Sequence, residues 1–245
     1  MFQNLQQNRS RQASFAGSNA SSKTFDAGLR DYMIKVYNFM GLALVFSGLI
    51  AITVSSSPTM MKVLFGTQLR YLVMLAPIAF IIFFSFKINS MSVAATKNCL
   101  WLFSGLIGLS LSSIFIIYTN ASIARIFFIT ASVFGAMSLY GYTTKKDLTN
   151  LDSFLMMGLF AVIIASLVNI FMKSGALQFI LSILFTLIFV GLTAYDVQKI
   201  KQNYYYCSGN DELIAKASAL GALNLYMDFI NIFIYLLQIF GNRRD

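Results

Sequence analysis

The sequence predicts an all-α polytopic membrane protein in which seven transmembrane helices pack around a central last helix. Three observations predict it. Hydrophobic residues make up 58% of the 245 and charged residues 11%, with a mean hydropathy of +0.71, the balance of a multi-pass membrane protein rather than a soluble domain. Apolar runs recur along the chain at about the 20 residues that a helix needs to cross a bilayer. The last run, LGALNLYMDFINIFIYLLQIFG, carries Asp228 in its middle. A carboxylate facing lipid there would cost about 2.5–3.5 kcal/mol, so this helix is expected to be shielded by the others.

Residues 1–28 are rich in Gln, Asn, Ser and Ala and lack the hydrophobic stretch of a signal peptide, which predicts a disordered, uncleaved cytosolic tail. Residues 29–245 form one membrane domain. Its spans are expected near Val36–Val54, Leu69–Phe86, Cys99–Tyr118, Ile123–Tyr142, Phe154–Met172, Leu177–Tyr195 and Leu220–Phe240. With the N-terminus in the cytosol, twelve of the eighteen Lys and Arg residues fall on the inside, which favours that orientation. Arg243 and Arg244 at the far end pull the other way, so a re-entrant last helix is the alternative topology.

Composition also excludes functions. With no histidine, His-based acid–base catalysis, Ser-His and Cys-His nucleophilic pairs and imidazole-held metals are all absent. Cys99 and Cys207 have no CxxC spacing and predict neither a disulfide framework nor a thiolate metal site. The formal net charge of +9 is spread over short loops, a pattern suited to anionic lipid headgroups and not to nucleic acid. No enzyme activity and no resident cofactor are expected.

The polar residues inside the membrane are ordered. On the last span Asn224, Asp228, Asn231, Tyr235 and Gln238 follow spacings of 4, 3, 4 and 3, which gathers them on one helical face. The sixth span repeats the pattern in Ser182, Thr186, Phe189, Thr193 and Asp196, and the third offers Ser104, Gly108 and Ser112. Such faces are expected to pack on one another, because small residues permit close approach and polar groups in lipid seek partners. Asp196 and Asp228 then both lie in the cytosolic half. Lys87, ending the second span on the same side, is a candidate counter-ion.

Two carboxylates in a low-dielectric seam cannot both ionise cheaply, so the pair would share a proton and act as a pH sensor. Deprotonated, Asp196 and Asp228 offer hard oxygen ligands of the kind Ca²⁺ prefers, with Asn224, Asn231 and Thr193 as polar lining. Proton loss would push the sixth helix from the seventh and open a path.

The segments FGAMSLYGYTTKKDLTNL, AYDVQKI with Asp196 and LNLYMDFINIFIYLLQIFG with Asp228 together resemble the signature segments of the Bax inhibitor-1 family, the transmembrane Bax inhibitor motif proteins. The resemblance runs from about Gly28 to Gly241, and the opening AGLRDYMIKVYNFMGLAL resembles the bacterial branch. It implies a seven-helix fold with a central last helix, a pH-sensitive calcium leak gated by the acids matching Asp196 and Asp228, and a place in a cell inner membrane. It also implies a basic residue at the position of Lys87; where some relatives carry Arg, lysine cannot form the bidentate fork of a guanidinium. Relatives are further linked to stress survival, and bacterial ones to a membrane protease as partner.

Two other readings compete. A non-conducting regulator would use the small-residue faces to bind another membrane protein. An intramembrane aspartyl protease would also place acids on neighbouring helices, but Asp228 stands in LYMD rather than GxGD, and the only prolines are Pro58 and Pro77.

Overall fold

The computed structural model describes the backbone of residues 2–87, 91–207 and 209–244, and the side chains of these residues from 27 onward except at 85. The expected all-α membrane fold is present: nine helices form among the described residues, and the one backbone bridge outside them pairs Tyr118 with Arg243. Six helices are long and apolar enough to cross a bilayer, and a seventh crossing results if one bent pair is counted as a span.

Helix α1 runs Phe2–Ser55, with Ala27–Ser55 as its apolar portion. The tail expected over residues 1–28 falls mostly on residues whose side chains lie outside the described set; their backbone is continuous with α1 from Phe2.

After α1 the chain turns through Ser57, whose hydroxyl accepts the Met60 amide at 3.4 Å. Pro58 takes the first helical position, where its missing N–H costs nothing. The short helix α2, Pro58–Gly66, buries no residue and meets α3, Leu69–Lys87, at 78°. The second span expected from sequence is thus α3, preceded by a surface helix too short to register as an apolar run.

Helix α4 covers Val93–Leu111 and is capped by Ser92, whose hydroxyl accepts the Ala95 amide. A break at Ser112 and Ser113 separates it from the single turn α5, Ile114–Ile117. Helix α6 is Asn120–Thr143 and α7 is Thr149–Met172. Helix α8, Gly175–Cys207, and α9, Asp211–Phe240, are 33 and 30 residues long, about 50 and 45 Å. Both exceed the about 30 Å hydrocarbon core of a bilayer.

The polar stretch between the last two spans is therefore helical, not a long loop. Only residues 208–210 connect the two helices. Gly209 adopts φ +99°, a conformation costly for any residue with a Cβ, and Asn210 caps α9 by accepting the Glu212 and Leu213 amides at 3.0 and 3.1 Å.

Helix α9 is central, as its sequence requires. In its most apolar stretch 67% of residues are buried, against 33% or less in every other span. It packs against α1, α4, α6 and α8. The re-entrant alternative is overturned: α9 is one unbroken helix, and the residues after it dock at the start of α6. There Thr119 N–H donates to Asn242 O at 3.0 Å, Arg244 N–H to Ile117 O at 2.9 Å, and the Arg244 guanidinium to Asn120 Oδ1 at 2.8 Å. The molecule thus has a hairpin end, at Cys207 and Asp211, and a C-terminal end, at Asn120, Gly175 and Phe240.

Close helix approach follows the glycines only where backbone is the neighbour. A Cβ on Gly108 would stand 2.7 Å from Ser47 O, so the Ser104, Gly108, Ser112 row seats α4 on α1. A Cβ on Gly141 would run into the carbonyl of Ala194, which fixes how closely α6 crosses α8.

The loop 144–148 is held from α8 by one side chain. Gln198 donates from Nε2 to Lys146 O at 2.8 Å and accepts the Leu148 amide on Oε1 at 2.9 Å, and it is buried. Gln198→Ala strands both peptide groups, each worth about 1–3 kcal/mol when buried without a partner. The expected result is a lower thermal unfolding midpoint in detergent; an unchanged midpoint would show that water replaces the amide.

Candidate functional site

The seam between α8 and α9 meets at three levels. Nearest the C-terminal end, Ser182 Oγ lies 2.9 Å from Gln238 Oε1. Next, the Phe185 and Tyr235 rings stack in parallel at 4.4 Å, with Phe189 6.3 Å from Tyr235. Toward the hairpin end, the carboxyl groups of Asp196 and Asp228 interact side chain to side chain. The two polar rows read from spacing therefore meet at Ser182–Gln238, Phe189–Tyr235 and Asp196–Asp228.

Asp228 is 5% exposed, and its Oδ2 atom is buried with no hydrogen-bond donor in reach. An ionised carboxylate in that position would be desolvated and unpaired, so a proton shared with Asp196 is the natural way to satisfy the pair. Asp196 is less enclosed. It lines a cavity of about 260 Å³ with Lys199, Asn203, Cys207, Asn224 and Phe84. One acid thus meets a water-sized space and the other is sealed behind it.

The remaining sequence candidates divide. Asn224 lines the cavity beside Asp196. Thr193 and Asn231 are turned to their own helices: Thr193 Oγ1 donates to Phe189 O at 2.8 Å, and Asn231 Nδ2 to Met227 O at 2.9 Å. Both lie on the seam but spend a donor on backbone. Lys87 ends α3 at this end of the molecule, with Nζ 6.0 Å from the centre of the Phe83 ring. Phe84, three residues earlier and so on the same side of the helix, walls the cavity.

Two charged groups that sequence reasoning did not select act on Asp196: Lys199, one turn along α8, and Asp152 in the first turn of α7. Tyr195 joins them, interacting with both Asp152 and Lys199, and its ring lies 5.4 Å below the lysine Nζ. The i+3 position of Lys199 was a usable signal. Asp152 had none, because its approach depends on how α7 packs on α8.

Among the described residues no group of three or more His, Cys, Asp or Glu side chains converges. A cation at the pair would meet two carboxylates, the Asn224 amide and water, a set suited to brief residence and not to a stored metal.

Comparison with known proteins bears on the same segments. The model of the family described as Inhibitor of apoptosis-promoting Bax1 matches residues 29–245. The chain belongs to the Bax inhibitor-1 family. It is 49% identical to an uncharacterised protein of Rickettsia prowazekii over 226 residues, covering 92% of this chain and 95% of the relative. It is 46% identical to the inner membrane protein YbhL of Escherichia coli K12, covering 89% and 94%. A protein of Caulobacter vibrioides is 44% identical, covering 90% and 92%. The family assignment agrees with the resemblance of the three signature segments. Within it this chain is a multi-pass membrane protein whose last two helices carry the acid pair.

Proposed function

We propose that this Bax inhibitor-1 family member is a pH-gated leak for calcium, seated in an inner membrane with the hairpin end in the cytosol. The observation that carries the reading is the buried Asp196–Asp228 pair, with one acid facing a cavity and the other sealed in the seam. With a proton between them, the carboxyls hold α8 against α9. Without it the two carboxylates repel, and two unit charges at a separation of about 4 Å and an effective dielectric of about 20 do so by about 4 kcal/mol, enough to bias a packed seam toward separation.

The groups around the pair tune this switch. Lys199 and Asp152 are the charged groups that act on Asp196, while Lys87, at the end of α3, serves as a further counter-ion. The Lys and Arg bias supports the cytosolic placement of the hairpin end. The inner-membrane placement rests on the likeness to YbhL.

Purified protein in liposomes loaded with Ca²⁺ and an indicator tests the reading. Efflux is expected to be low in acid and to rise with pH as the shared proton is lost. Efflux that falls with pH would reverse the gate. Liposomes tight at every pH would overturn the leak and favour a regulator that acts on a membrane protease or a stress-survival pathway.

A further inference from the structure

The α8–α9 seam has a second polar opening, far from the acids. At the C-terminal end a cavity of about 510 Å³ lies between α7, α8 and α9, walled by Ser166, Asn169, Lys173, Gln178, Ser182 and Gln238. The large grooves between α1 and its neighbours are lined mainly by apolar side chains, as lipid-filled surfaces should be. This one is polar and lies on the same helix pair as the acid cavity. Its floor is Phe185 and Tyr235.

That floor is an aromatic layer. Phe185 and Tyr235 stack at 4.4 Å with planes 5° apart, and Phe189 stands 6.5 Å from Phe185 and 6.3 Å from Tyr235. From Tyr235 to Asp228 is two turns of α9, about 10 Å. The three rings occupy the seam between the two cavities. Thr186 and Thr193 on α8 donate to their own backbone, so neither offers a free hydroxyl proton in this stretch.

We propose that the cavity at Ser182 and Gln238 is a vestibule for hydrated cations, separated from the Asp196–Asp228 pair by a dewetted septum made of Phe185, Phe189 and Tyr235. The proposal rests on the leak reading and adds its other mouth and a second barrier. Hydroxyl and amide oxygens keep an entering ion solvated without binding it tightly. Lys173 is the one charged residue lining the cavity among those described, so the vestibule does not select for cations; the acids do. The rings exclude water, and an ion passes only when the seam widens.

The test is Ca²⁺ efflux from proteoliposomes at acid pH, where the protonated pair keeps the seam narrow and the septum is the barrier that shuts it. Tyr235→Ala and Phe189→Ala are expected to raise this basal efflux at least fivefold while leaving the rise with pH in place. Tyr235→Phe keeps the ring and is expected to stay as tight as wild type, which separates septum loss from misfolding. If wild type shows the pH-dependent leak but both alanine variants match its basal efflux, the septum is overturned and the leak reading stands.

A second readout does not depend on flux. In a Cys99→Ser, Cys207→Ser background, Ser182→Cys is expected to react with a charged, membrane-impermeant thiol reagent added at the C-terminal side. Thr193→Cys, buried on α8 on the acid side of the rings, is expected to be protected until Tyr235→Ala is added. Equal labelling of the two positions would overturn the septum even if wild-type liposomes prove tight.

Discussion

Asp228→Asn is expected to flatten the pH response of the proposed leak, leaving efflux low and constant within about twofold across the range where wild type is expected to respond. An Asn at 228 offers an amide N–H₂ to the Asp196 carboxylate, reproducing the hydrogen-bonded, protonated form of the pair at every pH. Asp196→Asn is expected to do the same from the other side, with a smaller effect on folding because Asp196 faces a cavity whereas Asp228 is sealed. The decisive measurement is the double variant. Two groups that titrate as a unit are non-additive, so the second substitution should add nothing to the first. Two independent, summing shifts in the pH profile would sink the coupled pair.

Gly141→Leu is expected to be the most damaging apolar substitution in the membrane domain. Its Cβ would clash with the Ala194 carbonyl, and backbone cannot rotate aside as a side chain can. Overpacking costs about 1–3 kcal/mol where neighbours can yield, and here α6 or α8 must move as a body. Ala194 lies two residues before Asp196, so the displaced helix is the one that carries that acid. Even Gly141→Ala should lower the unfolding midpoint in detergent. Gly135, one and a half turns earlier on α6, has nothing within 4 Å of its Cβ position. Gly135→Ala should therefore be neutral or gain up to about 1 kcal/mol from helix propensity. Equal responses at the two glycines would remove the α6–α8 crossing as the explanation.

Much of the site was legible because a helix converts spacing into direction. The 4, 3, 4, 3 rows on the last two spans predicted which faces meet, and Asp196–Asp228, Phe189–Tyr235 and Ser182–Gln238 do meet, while the tighter stack on Tyr235 comes from Phe185, outside the row. The central place of α9 followed from the cost of Asp228 in lipid. What stayed hidden depends on contacts between elements distant in sequence. Asp152 looked like an ordinary acid in a first turn, and Gln198 like any polar residue after a span, until the fold put them beside α8. Helix α2 and the extensions of α8 and α9 escaped because hydropathy sees membrane, not helix. The Gly209 and Asn210 stop and start signals carried that information instead.

The central position of α9 also dictates an order of assembly. It is the last of the described helices to leave the ribosome, yet α1, α4, α6 and α8 all pack on it. Until it inserts, those four present small and polar seams to lipid or to each other, and the nascent protein is a ring without an axle. Insertion of α9 must carry an acid past the bilayer surface, and Asp196 is already waiting in the membrane to receive it. The pair that would sense protons in the finished molecule would thus first serve as the docking point that admits its final helix.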